Sequence, residues 1–103
     1  MIISDWLKLS ENEREIRCQN LSPYDDWDLF KAVESEFVST FGDQEGIGKV
    51  FCGFASGLGP CNAITVEILP NCKRSKLPKK FLGFPVLRAY HRKRVYHLNT
   101  DAI

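Results

Sequence analysis

The hydrophobic positions of this chain follow two different periods, one in each half. Large apolar residues recur every three or four positions along one stretch of the first half, at Trp27, Phe30, Val33, Phe37 and Phe41. That spacing is typical of one buried face of an α-helix. From residue 49 onward apolar residues alternate with small or polar ones, which is the period of a β-strand. The pattern therefore predicts helices followed by strands.

Capping residues mark where the two predicted helices begin. Ser10 and Glu13 have the spacing of a capping box, which predicts a short surface helix to about residue 20. Ser22 followed by Pro23 marks the second start, and Asp25, Asp26 and Asp28 place negative charge at the positive end of the helix dipole. Gly42 is expected to end that helix in the left-handed conformation. Trp6 and Leu7 are expected to anchor the segment before the first helix.

Three strands are predicted in the second half. In residues 49–55 both faces are apolar, so this strand is expected to be buried on both sides, whereas residues 62–69 alternate and fit a half-exposed strand. The short connection between them favours an antiparallel hairpin. Residues 77–83 fit one helical turn closed by Gly83, and Pro85 suggests that the third strand, residues 84–90, lies at an edge.

These elements predict an α+β fold of two layers in one domain spanning residues 1–103. Two N-terminal helices would pack on a three- or four-stranded, mainly antiparallel sheet. A chain of 103 residues with 44% hydrophobic side chains can bury such a core without metal or disulfide cross-links. No apolar run is long enough to span a bilayer and the start does not resemble a signal peptide, so we expect a cytoplasmic protein with no membrane partner.

The formal net charge of +1 conceals an unequal distribution along the chain. Residues 1–48 carry four basic and eleven acidic side chains, a net charge of −7, whereas residues 49–103 carry ten basic and two acidic ones, a net charge of +8. The two parts can attract each other within one molecule, they can pair head to tail between two molecules, or the basic part can bind an anionic partner.

The basic part contains the most specific candidate site. If residues 88–97 form a strand, five side chains lie on one face: Arg88, Tyr90, Arg92, Arg94 and Tyr96. Arginine binds phosphate and tyrosine stacks on bases, so this basic stripe predicts an anion-binding or nucleic-acid-binding surface. The alternative is a basic edge strand that resists aggregation and pairs with the acidic helix. A sequence pI of 7.7 favours the alternative.

Candidate chemistry elsewhere is sparse. The four cysteines, Cys18, Cys52, Cys61 and Cys72, include no CxxC pair, so we expect neither a zinc site nor a disulfide framework, and buried free thiols are the simplest interpretation. His91 and His97 would lie about 20 Å apart on an extended strand, too far to share a metal ion. Gly57 and Gly59 precede a strand instead of the helix that a dinucleotide site requires. We therefore predict no catalytic, cofactor-binding or metal-binding residues.

Two stretches of the second half resemble a module of small uncharacterised bacterial proteins, also found ahead of some trypsin-like peptidase domains. They are GLGPCNAITV, residues 57–66, and LPKKFLGFPV, residues 77–86. The resemblance implies a compact bacterial α+β unit and no particular chemistry. No peptidase triad can be transferred, because the similarity covers only residues 47–90.

The sequence leaves three hypotheses about function. The first is a non-catalytic interaction module that forms a homodimer or larger homo-oligomer, since opposite charges and exposed strand edges favour pairing of identical chains. The second is nucleic-acid binding through the basic stripe. The third is a thiol-dependent enzyme, with a pair such as Cys61 and His91 brought together only by the fold.

Overall fold

The computed structural model describes residues 1–22, 24–55, 61–70 and 76–90. Within these ranges three helices precede four strands. The helices are α1 (Ile3–Lys8), α2 (Glu11–Cys18) and α3 (Trp27–Phe41), and the strands are β1 (Ile47–Ala55), β2 (Cys61–Ile68), β3 (Lys80–Phe81) and β4 (Phe84–Tyr90).

The four strands form one mixed sheet in the order β1-β2-β4-β3. β1 pairs with β2 antiparallel, β3 pairs with β4 antiparallel, and β2 and β4 are parallel. The predicted two-layer α+β fold and the predicted β1–β2 pairing are confirmed. The edge position of Pro85 is wrong, because β4 lies inside the sheet order and Lys80 of β3 pairs with Pro85. Proline is tolerated there because the backbone hydrogen bond comes from the next residue: the Val86 N–H donates to the Lys79 carbonyl at 2.9 Å.

The helices pack on one face of the sheet, here called the inner face. Three buried aromatic rings meet there: Phe84 of β4 lies 5.8 Å from Trp6 and 5.7 Å from Phe30, between ring centroids. Cys52, Ile64, Val66 and Val86 complete the sheet side of the core, opposite Cys18, Leu29, Val33 and Phe37 of the helices. The core therefore lies between the inner face and the helices.

α3 buries a face that differs from the predicted one by part of a turn. Its buried side chains are Leu29, Phe30, Val33 and Phe37. Trp27 was expected in the core but is exposed, because at 100° per residue it lies about 100° around the helix from the centre of the buried face. Phe41 is half-buried at the border of that face and contacts Phe37 and Phe81.

The capping residues predict some of the helix ends correctly and others wrongly. The N-cap role of Ser10 is confirmed: its Oγ accepts from the Glu13 N–H at 3.2 Å. α3 begins four residues later than Pro23, since Ser22 Oγ instead accepts from the N–H groups of Tyr24 and Asp25 in the preceding turn. Gly42 ends α3 with φ −64°, so its predicted left-handed conformation is wrong.

Two local elements were not predicted. The segment before the capping box forms the short helix α1, held by the Trp6 indole, whose Nε1–H donates to the Leu82 carbonyl at 2.8 Å. Residues 77–83 do not form a helical turn. They contain β3 and a tight turn in which Leu82 and Gly83 have φ values of 51° and 89°. Gly83 is needed there because the backbone of Arg14 in α2 lies directly against it.

Candidate functional site

The side of the sheet away from the helices, here called the outer face, carries mostly apolar and small residues. Strand alternation and the pairing register place three residues side by side on it: Phe51 of β1, Thr65 of β2 and Leu87 of β4. In the next row Gly53 of β1 pairs with Ala63 of β2, and strand alternation places Pro85 of β4 on the same face. All of the described helices pack on the inner face. The outer face is therefore a surface with apolar character and few charges.

The expected burial of β1 on both faces is wrong. Phe51 on the outer face is 46% exposed, and Phe54, near the C-terminal end of the strand, is 53% exposed. The Phe51 ring lies over Gly53, whose lack of a side chain leaves room for it, and both Gly53 and its cross-strand neighbour Ala63 are buried. Phe51 thus projects from a part of the outer face that is formed by small residues.

β1 is also an edge of the sheet, with β2 as its single strand neighbour among the described residues. In an antiparallel pair, alternate residues direct both backbone groups away from the partner strand. Cys52 is such a residue, because its N–H donates to Glu34 Oε1 of α3 at 3.0 Å instead of to β2. The same alternation directs the backbone groups of Phe54 away from β2.

Glu34 is held in this position by a second contact. Its Oε2 lies 3.5 Å from Lys31 Nζ, one turn earlier on α3. A carboxylate that binds an edge N–H makes the edge less available for pairing with another chain. Glu34 therefore covers one point of the β1 edge and leaves the part toward Ala55 uncovered by this contact.

A bulge shapes the other end of β1. The register shifts between Ile47 and Val50, and the Glu67 carboxylate of β2 lies against Gly48, where a side chain would collide with it. The Lys49 N–H donates to Glu67 Oε1 at 3.2 Å. The Gly48-Lys49 pair, which superficially resembles part of a phosphate-binding loop, is thus explained by the bulge.

The predicted basic stripe is described only in part. Arg88 and Tyr90 lie on one side of β4 and are exposed, while Arg92, Arg94 and Tyr96 lie outside the described residues. Arg88 donates from Nη2 to the Leu77 carbonyl at 3.3 Å, and the predicted pairing with the acidic residues of α3 is not observed for it. Two of the acidic residues in this region bind elsewhere: Glu34 pairs with Lys31, and Asp26 pairs with the N-terminal amino group at 3.2 Å.

The described cysteines differ in their surroundings. Cys18 and Cys52 are fully buried on the inner side, and burial raises the pKa of each thiol from 9.0 to about 12. Cys61 is half-buried at the start of β2, and Cys72 lies outside the described residues, as do His91 and His97. A thiol nucleophile needs a lowered pKa, so Cys18 and Cys52 are unsuited to that role.

Asn62 fastens α2 to β2 beside Cys18. Its side-chain Nδ2 donates to the Cys18 and Leu21 carbonyls at 2.8 and 3.0 Å. Its backbone N–H and carbonyl are paired by the Gln19 amide at 2.9 and 3.0 Å. Pairing between β2 and β4 begins at Ile64, so the Gln19 side chain replaces the missing strand at Asn62. These polar residues have a structural role.

Within the described ranges, no group of three or more His, Cys, Asp or Glu side chains is arranged to hold a metal ion. None of the helices described is long and apolar enough to cross a membrane. Comparison of the chain with protein family models, curated proteins and solved structures finds no match.

Sequence reasoning missed the two most exposed aromatic groups near helix α3. The helical spacing predicts a buried Trp27 and gives no indication for Tyr24, whereas both side chains are exposed. A signal was available for both, because they precede or overlap the first helical turn, where three Asp residues mark a solvated surface.

Proposed function

We propose that this protein is a non-catalytic interaction module that associates with a second copy of itself through the β1 edge. The observation that carries the proposal is a nine-residue edge strand with two exposed phenylalanines, Phe51 and Phe54. Edge strands present unpaired backbone groups, and exposed aromatic side chains beside them supply contact area.

The sequence of β1 is complementary to itself. If two β1 strands pair antiparallel about a two-fold axis at Cys52, Phe51 lies opposite Gly53 of the second copy. In the same register Phe54 lies opposite Val50, and Lys49 lies opposite Ala55, so no like charges meet. A large ring opposite a glycine fits this arrangement without a steric conflict.

Sedimentation velocity from about 1 to about 100 μM, a range that covers weak homodimers, tests the proposal. We expect concentration-dependent dimers for the natural chain and at least roughly tenfold weaker association for Phe51→Lys, because a charge would be buried opposite Gly53. Val38→Lys is the matched control, since Val38 on α3 has the same 46% exposure as Phe51. A chain that stays monomeric throughout, or equal effects of both lysine variants, would contradict the proposal.

Glu34 provides a second test because its carboxylate competes for the Cys52 N–H. Glu34→Ala should strengthen dimerisation, whereas Glu34→Gln keeps an oxygen acceptor and should leave it near the natural level. Glu36→Ala is the control, since Glu36 is exposed on the same helix. Weaker dimerisation in Glu34→Ala, with the fold intact by circular dichroism, would count against this edge as the interface.

Nucleic-acid binding remains a second candidate function, favoured by the exposure of Arg88 and Tyr90 on one side of β4. It predicts an affinity that falls steeply as salt is raised, and a loss of binding in the double variant Arg92→Ala with Arg94→Ala. Unchanged binding in that variant would remove the basic stripe as the nucleic-acid site. The cytoplasmic location and the bacterial origin stay as expectations from the sequence.

A further inference from the structure

The two edges of the sheet differ in how their backbone groups are occupied. At the β1 edge, Glu34 binds the Cys52 N–H, and this contact leaves the part toward Ala55 uncovered. The opposite edge consists of β3 and the residues on either side of it, residues 76–82, here called the β3 edge. Along the β3 edge the outward backbone positions are blocked one after another.

The contacts with β4 show which residues of the β3 edge face outward. The Lys79 carbonyl accepts from the Val86 N–H at 2.9 Å, and Phe81 pairs with the first residue of β4. The odd-numbered residues here therefore face β4. Alternation in an antiparallel pair then directs the backbone groups of the even-numbered residues, from 76 to 82, away from β4.

Two of these outward positions lack the backbone groups that another strand would need. The Lys76 N–H and carbonyl are both bound by the Gln44 side-chain amide, each at 2.9 Å. Pro78 has no N–H to donate. An incoming strand would meet one residue that is already paired and one that has no donor.

The other two outward positions are engaged by α1 and α2. Lys80 Nζ lies 2.6 Å from Glu15 Oε1 of α2, and this hydrogen bond raises the pKa of Lys80. The edge thus keeps a charged side chain beside its backbone, which opposes pairing with another strand. The Leu82 carbonyl accepts from the Trp6 indole of α1 at 2.8 Å. The block therefore extends over all four outward positions.

We infer that self-association is confined to the β1 edge and stops at two copies, an inference that rests on the proposed function of β1 as the site where a second copy binds. Pairing of β1 with β1 about a two-fold axis uses the open edge of both copies. The two ends of the joined sheet are then β3 edges, and their described residues offer a third copy no open strand. A sheet with two open edges would instead add further copies.

Sedimentation velocity at high concentration tests the limit of two copies. From about 100 μM to about 1 mM we expect monomers and dimers, with a weight-average mass that levels off at the mass of a dimer. Trimers or longer species of the natural chain would overturn the inference.

A triple variant opens the β3 edge. Gln44→Ala frees both backbone groups of Lys76, Pro78→Ala supplies an N–H, and Lys80→Thr removes the charge. We expect species larger than a dimer, with a weight-average mass at about 100 μM that exceeds the mass of the dimer by roughly half or more. A triple variant that levels off at the same mass as the natural chain would count against the inference.

The matched control changes similar residue types away from the outward positions. It combines Asn12→Ala on α2, Pro70→Ala after β2, and Lys79→Thr, whose carbonyl faces β4. The control should sediment like the natural chain, and circular dichroism shows whether both triple variants keep the fold. If opening the edge unfolds the chain, Lys80→Thr alone is the second variant and should give a smaller rise in mass. Equal growth in the control would overturn the inference, because general destabilisation would then explain it.

Failure of the proposed function can be told apart from failure of this inference. Phe51→Lys weakens association through β1, so opening the β3 edge in that background should give concentration-dependent dimers of a different interface. A natural chain that stays monomeric contradicts the proposed function, while the opened variant still decides whether the β3 edge is blocked. An opened variant that stays monomeric in the Phe51→Lys background would show that these contacts do not control the β3 edge.

Discussion

The two faces of the sheet are built from the same strands but have opposite surroundings. On the inner face Phe84, Ile64 and Cys52 are fully buried under the helices, whereas on the outer face Phe51 remains nearly half exposed. Both faces carry aromatic and branched side chains, so hydrophobicity alone does not distinguish them. What distinguishes them among the described residues is that the helices pack on the inner face.

The largest expected difference between the faces concerns their phenylalanines. Phe84→Ala removes the ring that contacts both Trp6 and Phe30, and should lower the free energy of unfolding by about 3 to 5 kcal/mol. Phe51→Ala should cost less than about 1 kcal/mol, because much of that ring is already in water. Urea unfolding of both variants, monitored by circular dichroism at a concentration where each is monomeric, measures the two values. Similar losses in the two variants would mean that the outer face is covered as well as the inner one.

The sequence predicted the layers of this fold better than it predicted which faces are covered. Periodicity identified α3 and the β1–β2 hairpin, because a buried helix face and a paired strand both leave a repeating pattern. It could not identify β3, since two residues are too short to show a period, nor the parallel pairing of β2 with β4, which depends on contacts between residues about twenty positions apart. β1 was assigned two buried faces because the pattern shows apolar residues without showing what packs on them.

A similar limit applies to the candidate sites. Arg88 and Tyr90 were found by strand alternation, which the structure confirms for this part of β4. The sequence shows Glu34 only as one charge on an acidic helix. Its role at the edge N–H of Cys52 depends on the distance between α3 and β1, and no local pattern reports that distance.

A polar residue on the inner face gives the next largest effect. Asn62→Ala leaves the Cys18 and Leu21 carbonyls without their side-chain donor, and should lower the free energy of unfolding by about 2 kcal/mol. Thr65→Ala on the outer face of the same strand is the control, with an expected change within about 0.5 kcal/mol. Equal losses for Asn62 and Thr65 variants in urea unfolding would show that Asn62 does not hold α2 against β2.

The buried thiols of Cys18 and Cys52 should make the free energy of unfolding depend on pH. Burial raises the pKa of Cys18 and Cys52 to about 12 in the folded state, from 9.0, so above pH 9 the unfolded chain loses protons that the folded chain retains. Their contribution to stability is therefore complete below pH 9 and is lost as the pH rises toward 12. Between pH 8.5 and 9.5 the two thiols together should lower the free energy of unfolding by about 1 kcal/mol.

Replacing the buried thiols separates this effect from other titrating groups. The double variant Cys18→Ala with Cys52→Ala should lose about 1 kcal/mol of the pH dependence over that interval. In the folded chain a thiol reagent at mildly alkaline pH should modify Cys61 before Cys18 and Cys52, because these two are buried. Rapid modification of Cys18 or Cys52 in the folded chain would contradict the assigned burial.

The smallest effect is expected for a glycine on the outer face. A methyl group at Gly53 would meet the end of the Phe51 ring at 2.6 Å, but that ring is exposed and can turn away. Alanine also restricts the unfolded chain more than glycine does, so Gly53→Ala should change the free energy of unfolding by less than about 0.5 kcal/mol in either direction. Gly83→Ala is the contrasting variant: its φ of 89° disfavours a side chain and the Arg14 backbone carbon lies 2.8 Å from the added atom. Gly83→Ala should lower the free energy of unfolding by about 1 to 3 kcal/mol.

Because Gly53→Ala moves Phe51 without unfolding the sheet, it should still weaken dimerisation through β1. A Gly53→Ala chain as destabilised as Gly83→Ala would mean that Phe51 is fixed by other contacts and that the outer face is not an open surface.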